Sequence, residues 1–123
     1  MAIVAKVLII LILFMHVYFL LLETVLFKTR GRRAFGLSAE KADVMAPAMS
    51  NQGCYNGFLV VALAIGLLHR DPAVAHTFVL YGLGCVAVAG VWGALTVKTI
   101  ILFFQTIPAI LALMLYNIAR TAA

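Results

Sequence analysis

The sequence predicts an all-α fold, an integral membrane four-helix bundle that is antiparallel and up-down with short loops, and three observations predict it. Hydrophobic residues fill 66% of the 123 positions and charged residues only 11%, where a soluble domain carries about 25% charged. Mean hydropathy is +1.16. The apolar residues gather into four runs, and a hydrocarbon core about 30 Å thick needs about 20 helical residues per crossing, so residues 1–123 hold one transmembrane domain and little else. The formal charge of +5 is concentrated in one short segment between runs. That is how a membrane topology signal looks, and it argues against nucleic acid as a partner.

The first span is expected over residues 3–27, interrupted by His16 and Glu23. It is too long for a signal-peptide core and no small-x-small cleavage site follows, so it is expected to stay attached. A basic loop, 28–46, follows with Lys28, Arg30, Arg32, Arg33 and Lys41 against Glu40 and Asp43. Gly31 and Gly36 argue against one continuous helix there, and Ser38 is placed to cap a short helical turn.

The second span is expected over 47–68, starting near Pro47, whose missing N–H suits a first turn, and closing at "HRDPA". The third, 73–97, is rich in glycine and alanine, which let helix backbones approach closely in lipid. Lys98 marks a tight connection to the fourth, 100–118, where Pro108 predicts a kink. Cys54 and Cys85 fall inside spans without metal-ligand spacing and read as small buried hydrophobes. His69 and His76 have no third ligand at hand, so neither a metal nor any cofactor is expected.

Lysine and arginine set the orientation. Lys28, Arg30, Arg32, Arg33, Lys41 and Lys98 fall on one side and Lys6, Arg70 and Arg120 on the other. The expectation is a multi-pass protein of the cell (inner) membrane with both termini outside and the basic loop cytoplasmic.

Polar residues then stand out against the apolar background. Antiparallel folding brings Glu23, Asn51 to Asn56 and Gln105 to similar depth. Asn51 and Tyr55, and Gln52 and Asn56, are four apart on the second helix and read as one stripe, with Gly53 and Gly57 as a packing surface beside it. His16 lies two turns from Glu23, about 10 Å deeper. Ionisable groups in a bilayer are costly, which makes Glu23 a candidate functional carboxylate with Asn51, Gln52, Tyr55 or Lys98 as partner. The alternative is that it reaches to the interface and pairs with Lys28 or Arg33. The amide stripe reads first as interhelical glue without chemistry, and His16 first as a buried histidine, with a proton relay to Glu23 as the alternative.

Glu23 together with "NQGCYNGFL" and "FFQTIPAI" resembles a family of small four-span bacterial and fungal membrane proteins catalogued as a domain of unknown function, numbered 1304. The resemblance spans nearly the whole chain, is most specific at Asn51, Gln52, Gly53, Tyr55, Asn56, Gly57, Phe58 and Leu59, and implies compartment and topology but no reaction. A more distant likeness is to the membrane-associated eicosanoid and glutathione metabolism superfamily, four-span trimers with outward termini. Asn51 and Asn56 are in comparable places, but this second helix has no arginine and no acid after the asparagines, so the likeness implies architecture and not glutathione chemistry.

Three functions follow as expectations. The first is binding of a small amphiphile or membrane lipid at a polar site of His16, Glu23, Asn51, Gln52, Tyr55, Asn56 and Gln105; were it an enzyme, Glu23 would be the acid or base. The second is oligomeric transport of a proton or small solute along the His16 and Glu23 line. The third is a structural or regulatory membrane protein whose basic loop senses anionic lipid. A homo-oligomer is expected because the glycine-rich third helix favours association.

Overall fold

A computed structural model describes residues 2–122, and among them the chain is helical with no strand. The elements in order are α1 (Ala2–Glu23), a π-helical turn (Phe27–Gly31), the single turn α2 (Arg32–Ala34), α3 (Ala39–Leu68), α4 (Pro72–Thr96), a second π-helical turn (Leu102–Thr106) and α5 (Ile107–Thr121). Four helical segments, Ala2–Glu23, Ala39–Leu68, Pro72–Thr96 and Leu102–Thr121, are long and apolar enough to cross a membrane. The described residues divide into two compact units, one taking the chain up to Leu13 and from Val61 onward, the other Phe14–Val60.

Parts of all four long helices meet in the first unit. Each gives one narrow stripe to the interior: Ala5, Ile9 and Ile12 from α1, Leu63 and Gly66 from α3, Val79, Leu83 and Val86 from α4, and Ala109 and Ala112 from α5. The spacings of three, four and seven are those of one helix face. Most other large apolar side chains point outward, where lipid would meet them.

Because lipid is as apolar as leucine, close approach has to hold the helices together. Small residues supply it. A Cβ added at Gly66 would lie 2.9 Å from the backbone N of Val79, and one at Gly82 would lie 2.8 Å from a methyl of Leu63, which clamps α3 to α4. At Gly90 the added atom would lie 2.8 Å from the backbone N of Thr106, and the Thr106 hydroxyl donates to the carbonyl of Ala87 at 3.1 Å, joining α4 to the turn before α5.

The turn Leu102–Thr106 departs from the simple kink expected at Pro108. Pro108 lies in the first turn of α5, and a proline ring crowds the carbonyl four residues back, here that of Phe104. Widening the preceding turn relieves the crowding and keeps backbone groups paired. The start of α4 is capped by Asp71, whose Oδ1 accepts from Ala73 N at 2.8 Å and Val74 N at 3.3 Å, with Pro72 opening the helix.

The second unit holds the end of α1, the basic segment and the start of α3. Past α1 the chain stays hydrogen-bonded through wide turns, Leu26 N donating to Leu21 O and Gly31 N to Leu26 O, both at 2.9 Å. Gly31 therefore does not break the path; it is buried and helical. Gly36 does, at φ 67°, with its N–H on Arg33 O at 3.1 Å and the Leu37 N–H on Arg32 O at 2.7 Å. This paired arrangement ends a helix at a left-handed glycine. Phe27 and Phe35 pack under it with ring centroids 6.2 Å apart, and Lys28 pairs with Asp43 at 2.8 Å on the surface.

Ser38 caps a far longer helix than the short turn expected of it. Its Oγ accepts from Lys41 N at 3.3 Å, and α3 continues from Ala39 through Pro47 to Leu68. The residues before the proline, AEKADVMA, are mostly strong helix formers, so one missing hydrogen bond at Pro47 does not stop them.

The glycine contacts give a paired expectation. Gly66→Ala overpacks the α3/α4 contact and lowers stability by about 1–3 kcal/mol, whereas Gly84→Ala, where a Cβ would meet nothing within 4 Å, is neutral or stabilising. Thermal unfolding in detergent distinguishes the two.

Candidate functional site

The polar residues of the second unit lie where α1 ends and α3 crosses it. The approach is set by Gly53: a Cβ there would lie 2.6 Å from the Thr24 methyl, 3.2 Å from Leu20 O and 3.3 Å from Glu23 Cβ. Gly57, one turn on, would only touch the Leu20 methyls at 3.8 Å. The tight contact is thus at Gly53, and it brings the Asn56 amide to Glu23. Asn56 Nδ2 donates to Glu23 Oε2 at 2.6 Å, with Asn56 buried and Glu23 half-buried. Thr24 turns its hydroxyl back to donate to Leu20 O at 2.6 Å.

The expected four-residue stripe is therefore split. At about 100° per residue, Asn51 and Tyr55 lie across the helix from Gly53, while Asn56 flanks it. Asn51, Gln52 and Tyr55 are exposed and make no hydrogen bond among the described residues. Tyr55 instead packs edge-on to Phe58, centroids 5.8 Å apart, and both rings face outward. Cys54 is exposed on the same outward side rather than buried as expected, while Cys85 is half-buried; both are free thiols. An apolar thiol facing lipid carries no penalty, so nothing forces Cys54 inward.

His16 is buried, 1% exposed, with its ring edge-on to Phe19 at 5.7 Å. Gln105 belongs to the first unit, half-buried in the π-helical turn, its Cβ facing Gly90 of α4. Glu23 makes no ion pair with Lys28 or Arg33 among the described residues; Lys28 is turned to Asp43. The pairing that hydropathy could not specify is the Glu23 to Asn56 bond. Its only sequence signal is that Asn56 lies three residues beyond Gly53, hence on the same side of the helix.

His69 and His76 lie in the first unit with structural partners. His69 Nδ1 accepts from Asp71 N at 3.1 Å, and His76 stacks on Tyr116 with centroids 5.7 Å apart and planes 19° apart.

Two kinds of polar group are thus present in the second unit. One kind is consumed in joining α1 to α3; the other, Asn51, Gln52 and Tyr55, is turned outward and makes no side-chain hydrogen bond among the described residues.

A family described as "Protein of unknown function (DUF1304)" matches residues 10–117. No curated protein and no solved structure matches the chain.

Gly53→Ala is expected to force α1 and α3 apart and break the Glu23 to Asn56 bond, lowering the unfolding midpoint by the equivalent of about 1–3 kcal/mol. Gly57→Ala, with ordinary contact distances, leaves the midpoint unchanged or raised. Equal effects at the two positions would remove the role given to Gly53.

Proposed function

On the premise that the chain belongs to the DUF1304 family, its match covering residues 10–117, we propose that this four-span membrane protein binds a small amphiphile, its polar head at Asn51, Gln52 and Tyr55 and its apolar body along the same outward side of α3. One observation carries the reading: Asn51, Gln52 and Tyr55 are exposed and make no hydrogen bond among the described residues, on a helix apolar enough to cross a membrane. Amide and hydroxyl groups in a lipid setting favour any partner that satisfies them. Glu23 Oε1 makes no hydrogen bond among the described residues, and Oε2 is fixed by Asn56, so the carboxylate is oriented to accept from a hydroxyl or amine. Phe58 and Tyr55, 61% and 56% exposed, offer the adjoining apolar wall.

A second reading, that a second copy of the chain covers an outward helix face, is favoured by Gly84 on the outer side of α4, with open space where a side chain would be and Val88 and Trp92 exposed beyond it. Helix backbones of two copies would meet closely there.

Both readings are open to one experiment, native mass spectrometry of the protein extracted in mild detergent. The expected spectrum carries a discrete bound amphiphile, and Gln52→Ala with Tyr55→Phe reduces its occupancy about tenfold, equivalent to about 1.4 kcal/mol, while the unfolding midpoint stays unchanged. A spectrum with no bound mass, or equal retention by the variant, would overturn the amphiphile reading; the subunit number in the same spectrum decides the second.

A further inference from the structure

A separate feature lies wholly in the first unit, at the amino end of α1. A cavity of about 380 Å³ is walled there by α1, the end of α3, the start of α4 and the end of α5. That volume is in the range of small-molecule sites, about 300–1,000 Å³. Two helices and a turn each bring one cation to its wall: Lys6 from α1, Arg120 from α5, and Arg70 from the turn after α3. These are three of the nine lysines and arginines in the chain, and the only three outside the basic segment and Lys98.

No acidic side chain lines the cavity, and none of the three cations makes an ion pair among the described residues. Asp71, next to Arg70 in sequence, is engaged with the two amides at the start of α4. That helix runs 25 residues from the cavity rim, and with the Asp71 carboxylate on its amino end the positive field there comes from the three side chains. Much of the lining is apolar, with Leu67 and Ala75 half-buried and so open to a ligand. Tyr116 closes one side, its ring held by the stacked imidazole of His76.

Three cations without an ion pair among the described residues, set beside an apolar wall, make a site for an anion with an apolar continuation. We infer that this cavity binds a phosphate-bearing head group, with Arg70 and Arg120 donating paired N–H groups to the phosphate oxygens, Lys6 supplying the third charge, and the glycerol or acyl portion resting on Leu67 and Ala75. Guanidinium geometry matches phosphate, and lysine serves as a point charge. The same chemistry is offered by an anionic phospholipid or by free phosphate. This site shares no residue with the α1/α3 face and does not depend on it.

The test is the thermal unfolding midpoint of the purified protein titrated separately with phosphatidylglycerol, phosphatidylcholine and inorganic phosphate. Phosphatidylglycerol is expected to raise the midpoint, and phosphatidylcholine to do so far less. The double variant R70Q/R120Q needs about tenfold more lipid for the same rise, K6Q needs an intermediate amount, and R30Q/R33Q, in the basic segment, titrates like the native sequence. A rise with inorganic phosphate as well identifies free phosphate as a ligand; a rise with phosphatidylglycerol alone identifies the lipid. Equal response to both lipids with none to phosphate, an unaltered titration of R70Q/R120Q and K6Q, or an equal loss in R30Q/R33Q would overturn the assignment. Should R70Q/R120Q not fold, K6Q alone decides, since Lys6 is exposed and outside the packed stripe.

Discussion

A bilayer interior has no partner to offer a backbone N–H or C=O, and an unpaired one there costs several kcal/mol, so the irregular places in this chain are those where pairing is kept by other means. The two π-helical turns keep their hydrogen bonds one residue wider than usual, at Phe27–Gly31 and at Leu102–Thr106. At Gly36 the chain stops a helix with a left-handed glycine, one tight and one wide hydrogen bond, and at Asp71 a side chain takes over two amide donors. Every one of these devices lies at or near the end of a long helix.

The same solvent removes the usual drive for helices to associate, which leaves close approach and a few polar contacts. Gly66, Gly82 and Gly90 permit the approach in the first unit, and Gly53 does so in the second. Each unit also has one polar contact across helices at such a place: Thr106 to Ala87 beside Gly90, and Asn56 to Glu23 beside Gly53. Side-chain hydrogen bonds of this kind average about 0.6 kcal/mol in membranes. They select which faces meet more than they hold them.

The spans were legible because hydropathy and length follow directly from bilayer thickness, and the family was legible in the run from Asn51 to Leu59. What hydropathy does not encode is rotation about a helix axis. Asn51, Gln52, Tyr55 and Asn56 look alike by spacing of four, yet only Asn56 flanks the glycine that touches α1 and is buried. Pro47 misled in a related way: a residue suited to open a helix sits eight positions inside α3, because the segment before it is strongly helical and is capped by Ser38. The three cations around the cavity are far apart in sequence and were read only as topology signals; the fold brings them together.

On the proposed function the polar side chains divide by job, Asn56 and Glu23 joining helices and Asn51, Gln52 and Tyr55 meeting a ligand. The most direct measurement compares Asn56→Ala with Asn51→Ala, recording the unfolding midpoint and the retained amphiphile of each. The account predicts opposite losses: Asn56→Ala lowers the midpoint, because Glu23 loses its partner, while Asn51→Ala keeps the midpoint and sheds the bound molecule. Two variants that lose stability alike, with retention unchanged in Asn51→Ala, would contradict it.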